Sequence, residues 1–225
     1  MRNWRLFYVA AAVAMAAFAA WPAAARAQNV DAAITLTADV SRSIDDGEFQ
    51  LQRKGYAAAV TSPQFLEAIQ SGLHGAIALC FLEWAGEGEQ AVVAKWMVIR
   101  DGEGAAEFAD ILTGAPRSFA GRTAIGDGIG FAVKQFDALG ATAARRIIDI
   151  SGDGASNSGR PVTAARDNAV RKGITINGLA IINEKTGGLA GSFLYAHTHP
   201  PGGLPNYYRD NVIGGAGAFV LQIVN

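Results

Sequence analysis

Asp39, Ser41 and Ser43 stand at every second position where an apolar run, AITLTADVSRS over residues 33–43, gives out. In extended backbone, alternate side chains share a side. Three oxygen-bearing groups could therefore converge on one small object. Carboxylate and hydroxyl oxygen, with no histidine or cysteine, suit a hard cation such as Mg²⁺. Alone, the same residues also suit a turn at Asp39 and a helix cap at Ser43. Further ligands must come from elsewhere in the chain. Thr123, in GRTAIG, opens a predicted helix, and Asp153, in SGDGASN, follows a predicted strand. Singly, Thr123 also reads as that helix's N-cap and Asp153 as a turn residue between two glycines.

The elements that must bring these residues together alternate along the chain. Apolar runs at 33–39, 75–86, 91–100, 145–151, 174–182 and 219–224 read as strands. Helical spacing follows the first of them (49–60), then recurs at 63–70, 103–113, from Thr123 onward, and at 161–172. Ile129, Val133 and Phe136 mark the core face of the helix at Thr123. The run at 75–86 is apolar nearly throughout and reads as a central strand. The run at 91–100 mixes polar with apolar positions and reads as an edge, joined to it by a hairpin through Glu87-Gly88-Glu89. Strands alternating with helices predict a three-layer α/β fold, doubly wound around a mostly parallel six-stranded sheet with one antiparallel edge. In such sheets ligands bind beyond the carboxyl ends of the strands, where strand order reverses. Asp39 and Asp153 both fall at such ends. They face each other if their strands are neighbours.

The combination of DVSRS, GRTAIG and SGDGASN, in that order, resembles the metal-ion-dependent adhesion site of the von Willebrand factor A domain family. That site takes Asp-x-Ser-x-Ser after the first strand, a Thr from a middle loop and an Asp before Gly after a later strand. The resemblance covers most of residues 31–182 and implies a metal held by Asp39, Ser41, Ser43, Thr123 and Asp153. It implies Mg²⁺, or Mn²⁺ or Ca²⁺, with an Asp or Glu of a partner protein completing the shell. More narrowly, GRTAIG, RRIIDISGDG, GITINGLAI and YYRDNVIGGAGAFV resemble a bacterial family of exported A-domain-like proteins without an assigned function. Arg42, Arg122 and Asn157 flank the predicted site.

The rest of the chain bounds the function. Met1 is followed by Arg2 and Arg5, an apolar run to Trp21, and Ala25-Arg26-Ala27. This is the pattern of a signal peptide, residues 1–27, cleaved between Ala27 and Gln28. The expected product is a single domain, 28–225, exported to the periplasm or secreted, with no later membrane span. Losing Arg2, Arg5 and Arg26 takes Lys plus Arg from 19 to 16 against 20 acids, for a formal charge of −4. That balance argues against a nucleic-acid partner. Cys80 is the single cysteine, so no internal disulfide forms and the thiol reads as core.

Asp39, Thr123, Lys134 and Gly152-Asp153 also mimic the order of a haloacid dehalogenase phosphatase, with Asp39 as nucleophile. That chemistry wants a second Asp where Ser41 stands, and it leaves Ser43 unused. A third possibility is an interaction domain whose metal site is idle. His197 and His199, with His74, could bind zinc but read better as solvent-facing residues in the Gly/Pro-rich loop 183–206. Asp45, Asp46 and Asp127 read as solvated helix starts. Asp149 reads as structural, paired with Arg145 or Arg146. Trp84, Trp96, Tyr207 and Tyr208 read as core or interface.

Overall fold

A computed structural model describes residues 28–182 and 193–224. The expected leader, 1–27, and positions 183–192 of the Gly/Pro-rich loop lie outside the described residues. The first half of the chain runs β1 (Gln28–Val30), β2 (Ala32–Asp39), α1 (Asp46–Val60), α2 (Pro63–Gln70), β3 (Ile77–Trp84), β4 (Gln90–Ile99) and α3 (Gly102–Gly114). The second half runs α4 (Ile125–Gln135), β5 (Ala141–Ala143), β6 (Arg146–Gly152), α5 (Val162–Arg171), β7 (Ile174–Ile182), α6 (Phe193–Thr198), α7 (Leu204–Tyr207) and β8 (Val220–Val224). A π-helical turn, Tyr208–Val212, extends α7.

Six strands form one sheet in the order β4-β3-β2-β6-β7-β8. All pairings in it are parallel except β3 with β4, which is antiparallel. The chain winds outward from β2 to β3 and β4 on one side, and through β6, β7 and β8 on the other. Strand order therefore reverses between β2 and β6. The expected sheet and antiparallel edge are both present. β1 and β5 add a small parallel pair, which the short polar segments around Ala141 did not announce.

Alternation of side chains sorts the core into two layers. On β3, Ala78, Cys80, Leu82 and Trp84 pack with Ile125 and Ile129 of α4. Ile77, Leu79 and Phe81 face the other way, against Phe108 and Leu112 of α3. All eight β3 residues are buried, as expected of a strand covered on both faces. The Cys80 thiol lies within this packing, and burial pushes its pKa up to about 12.

Polar contacts set the loops at the carboxyl ends of the strands. Asp45, not Ser43, caps α1: it accepts from the Glu48 N–H at 2.8 Å while Glu48 Oε2 accepts from the Asp45 N–H at 2.9 Å. This reciprocal box satisfies two donors that the helix start would leave open. Arg53 on α1 and Glu83 on β3 form an ion pair at 2.7 Å, with side chains 2% and 0% exposed. Arg53 also donates to the Leu112 carbonyl, and Glu83 accepts from the Ser118 N–H. The pair thus ties α1, β3 and the loop leading to Thr123 into one unit.

Two local expectations are corrected. Asp127 is buried on α4 and paired with Arg160, because the first turn of that helix faces the protein. Asp149 accepts from Asn177 Nδ2 at 2.7 Å, since β7 lies alongside β6 at that register. Arg146 instead donates to the Lys172 carbonyl. Trp84 and Tyr208 are fully buried, and Trp96 packs partly buried against the core.

Candidate metal centre

β2 and β6 are adjacent and parallel, so their carboxyl ends lie side by side. Asp39 ends β2, and Asp153 immediately follows the end of β6. Both residues are buried, 0% and 1% exposed. The turn after β2 folds back through the Ser41 N–H, which donates to Asp39 Oδ1 at 2.7 Å. Ser41 Oγ lies 3.1 Å from Ser43 Oγ. Ser43 Oγ donates to Asp153 Oδ1 at 2.7 Å, which links the first loop to the third.

Thr123 brings the second loop. Arg42 N–H donates to the Gly121 carbonyl at 2.9 Å, and the N–H groups of Asn157 and Ser158 donate to the Thr123 carbonyl. Asn157 Oδ1 accepts from the Thr123 N–H at 2.9 Å. Ala124 is the N-cap position of α4, which has no side-chain cap. The Thr123 hydroxyl is therefore not used as a cap, and it meets His197 Nε2 at 3.1 Å. Of the flanking residues, Asn157 is built into the loops, whereas the Arg42 and Arg122 side chains are exposed.

Residues outside the five candidate ligands complete the surroundings. The Arg117 guanidinium donates to the carbonyls of Val40 and Ser41, each at 2.7 Å, and so holds the first loop from behind. A Cβ on Gly152 would stand 2.6 Å from the Tyr208 hydroxyl and 2.9 Å from Asp39 Oδ2, so only glycine admits both groups there. Tyr207 OH accepts from the Ser156 N–H at 3.1 Å. His197 is buried, against the expectation of a solvent-facing loop residue, because α6 lies along the Asp153 loop and the His197 carbonyl accepts from Ala155 N–H at 3.0 Å. A local signal for this was absent: only the fold brings a tail residue back to β6.

The electrostatics of the pair are unfavourable without a cation. Burial raises the Asp39 pKa well above the usual carboxylate range, and the neighbouring Asp153 charge adds to the rise. Burial pushes Asp153 up to about 6, with Glu48 contributing in the same direction. Asp39 Oδ2, Asp153 Oδ2 and the Tyr208 hydroxyl are all buried without a hydrogen-bond partner. Such groups ordinarily have partners or a bound ion. The donor set of hydroxyls and carboxylates suits Mg²⁺, Mn²⁺ or Ca²⁺. Neighbouring oxygens on an octahedral Mg²⁺ with bonds of about 2.1 Å stand roughly 3 Å apart. The Ser41–Ser43 pair, at 3.1 Å, has that spacing.

Neither rival arrangement is assembled. Lys134 is exposed in the last turn of α4, about 13 Å along the helix from its start at Ile125 given a rise of 1.5 Å per residue. The lysine of a phosphatase site is therefore not beside Asp39. For zinc, the His74 N–H is held by Asp31 near β1, and His199 stacks on Tyr195. Among the described residues, no three His, Cys, Asp or Glu side chains are grouped to hold a metal.

Residues 29–225 match the family described as protein of unknown function DUF1194, and the chain belongs to that family. No curated protein matches it. Solved structures with a similar fold include proximal thread matrix protein 1 from the mussel byssus, at 15% identity and a TM-score of 0.61, over 87% of this chain and 44% of that one. A von Willebrand factor type A protein from Catenulispora acidiphila is 16% identical with a TM-score of 0.57, over 88% and 39% of the two chains. The mussel protein with a zinc-occupied metal-ion-dependent adhesion site aligns at 16% identity and a TM-score of 0.54, over 86% and 41%. This chain spans less than half the length of each. The likeness establishes a von Willebrand A fold.

Proposed function

We propose that the chain is a divalent-cation-dependent protein-binding domain of adhesion or scaffold type, acting outside the cytoplasm after removal of residues 1–27. The supporting observation is the gathering of Asp39, Ser41, Ser43, Thr123 and Asp153 from three loops at the β2/β6 switch point, with one oxygen of each buried carboxylate unpartnered. Ser41, Ser43 and Thr123 would offer neutral oxygens to the ion, and Asp39 and Asp153 would balance its charge. When bound, the cation supplies a Lewis-acidic point that remains electrophilic, because much of its protein shell is neutral. An Asp or Glu of a partner protein is the matching ligand. Mg²⁺ fits the oxygen set best, with Mn²⁺ and Ca²⁺ as alternatives. The zinc-occupied site of the mussel protein supports a divalent ion at this place in the fold. Among the described residues no helix is long and apolar enough to cross a membrane, which is compatible with a released domain.

Affinity capture tests this function. Protein immobilised in Mg²⁺ and exposed to extracellular or periplasmic extract is expected to retain a partner that EDTA elutes and that Asp153→Ala does not capture. A partner retained equally with EDTA and by Asp153→Ala would show that binding uses another surface.

A further inference from the structure

Resting on the metal reading above, we infer that His197 is a positioning residue of the metal site: its imidazole fixes the direction in which the Thr123 hydroxyl offers its oxygen to the ion. The orientation follows from the hydrogen bonds. Asn157 Oδ1 accepts from the Thr123 N–H at 2.9 Å, which sets the amide so that Nδ2 faces His197 Nδ1 at 3.4 Å. Nδ2 is a donor, so Nδ1 is the acceptor and the proton of the neutral ring is on Nε2. The Nε2–H then donates to Thr123 Oγ1 at 3.1 Å. A threonine oxygen has two lone pairs. With one held by His197, the other is aimed and left for a cation.

The ring has little freedom to leave. A Cβ on Gly154 would stand 2.2 Å from His197 Nε2, so the imidazole lies directly on the Asp153 loop. The His197 backbone is tied to Ala155. Because both ring nitrogens are engaged, Nε2 with Thr123 Oγ1 and Nδ1 with Asn157 Nδ2, His197 acts through Thr123 and not as a direct ligand. Groups that orient a metal's ligands in this way typically contribute tenfold to a hundredfold in affinity.

Mg²⁺ titration calorimetry on protein expressed from the full-length sequence, with melting in EDTA alongside, tests the inference. His197→Phe keeps a ring on Gly154 but has no N–H, and His197→Gln retains a donor. The Phe variant is expected to bind Mg²⁺ about tenfold to a hundredfold more weakly, the Gln variant to recover most of that loss, and both to melt near the parent in EDTA. Gly154→Ala, which displaces the ring, should weaken Mg²⁺ binding as the Phe variant does, and it carries the test if that variant does not fold. Parent-like affinity in His197→Phe or Gly154→Ala would overturn the inference, as would equal losses in the Phe and Gln variants. A parent that binds no Mg²⁺ would instead remove the metal reading on which the inference rests.

Discussion

Two buried carboxylates beside each other make a pH-dependent signature at the residue scale. Asp153 has its pKa raised to about 6, and Asp39 is raised well above the usual carboxylate range, by burial first and then by the Asp153 charge. A raised carboxylate binds protons more tightly folded than unfolded, so its contribution is present at low pH and disappears as pH rises through the folded pKa. For Asp153 the window runs from about 4 to about 6. Metal-free protein is therefore expected to melt at a higher temperature at pH 5 than at pH 7. Saturating Mg²⁺ should reverse the order, because the ion requires the ionised carboxylates. Melting curves at both pH values, with EDTA and with Mg²⁺, check this; identical pH trends in the two would contradict it. The five candidate oxygen ligands could be picked out of the sequence because their spacing and order form a pattern. His197, Tyr208 and Arg117 were not, because each reaches the site from a distant segment and carries no local signature.

At the scale of elements, the Arg53–Glu83 pair holds α1, β3 and the loop before Thr123 together. Removing one partner of a buried pair leaves a buried charge and typically costs about 3–5 kcal/mol. Glu83→Ala should therefore lower the urea midpoint with little change in the slope of the transition, measured by denaturation in EDTA. An unchanged midpoint would mean that water replaces the lost carboxylate. The strands and helices were readable from apolar periodicity, which is local. Strand order was not local: it rested on the alternation of elements and on the antiparallel hairpin. The short β1/β5 pair escaped notice because three residues give too little periodicity to detect. Asp127 misled because an acid in a first turn is usually solvated, whereas Arg160 here closes over it.

For the whole molecule, the organising feature is a von Willebrand A fold whose strand order reverses between the parallel neighbours β2 and β6, placing three loops at one end of the sheet. Export is proposed from the leader pattern, and mass spectrometry of the processed protein should find Gln28 as its first residue; a retained Met1 would contradict cleavage there. The proposed metal site joins Asp39, Ser41, Ser43, Thr123 and Asp153 around one divalent cation. Its most direct test is the melting temperature in EDTA and in millimolar Mg²⁺, for the parent and Ser41→Ala. Ligand at about a hundred times its dissociation constant adds roughly 2.7 kcal/mol to the native state. For a domain of this size that is a rise of roughly 5–11 °C. A rise of that order in the parent that is lost in Ser41→Ala is the predicted result. No rise with Mg²⁺, Mn²⁺ or Ca²⁺, or an equal rise in both proteins, would contradict it.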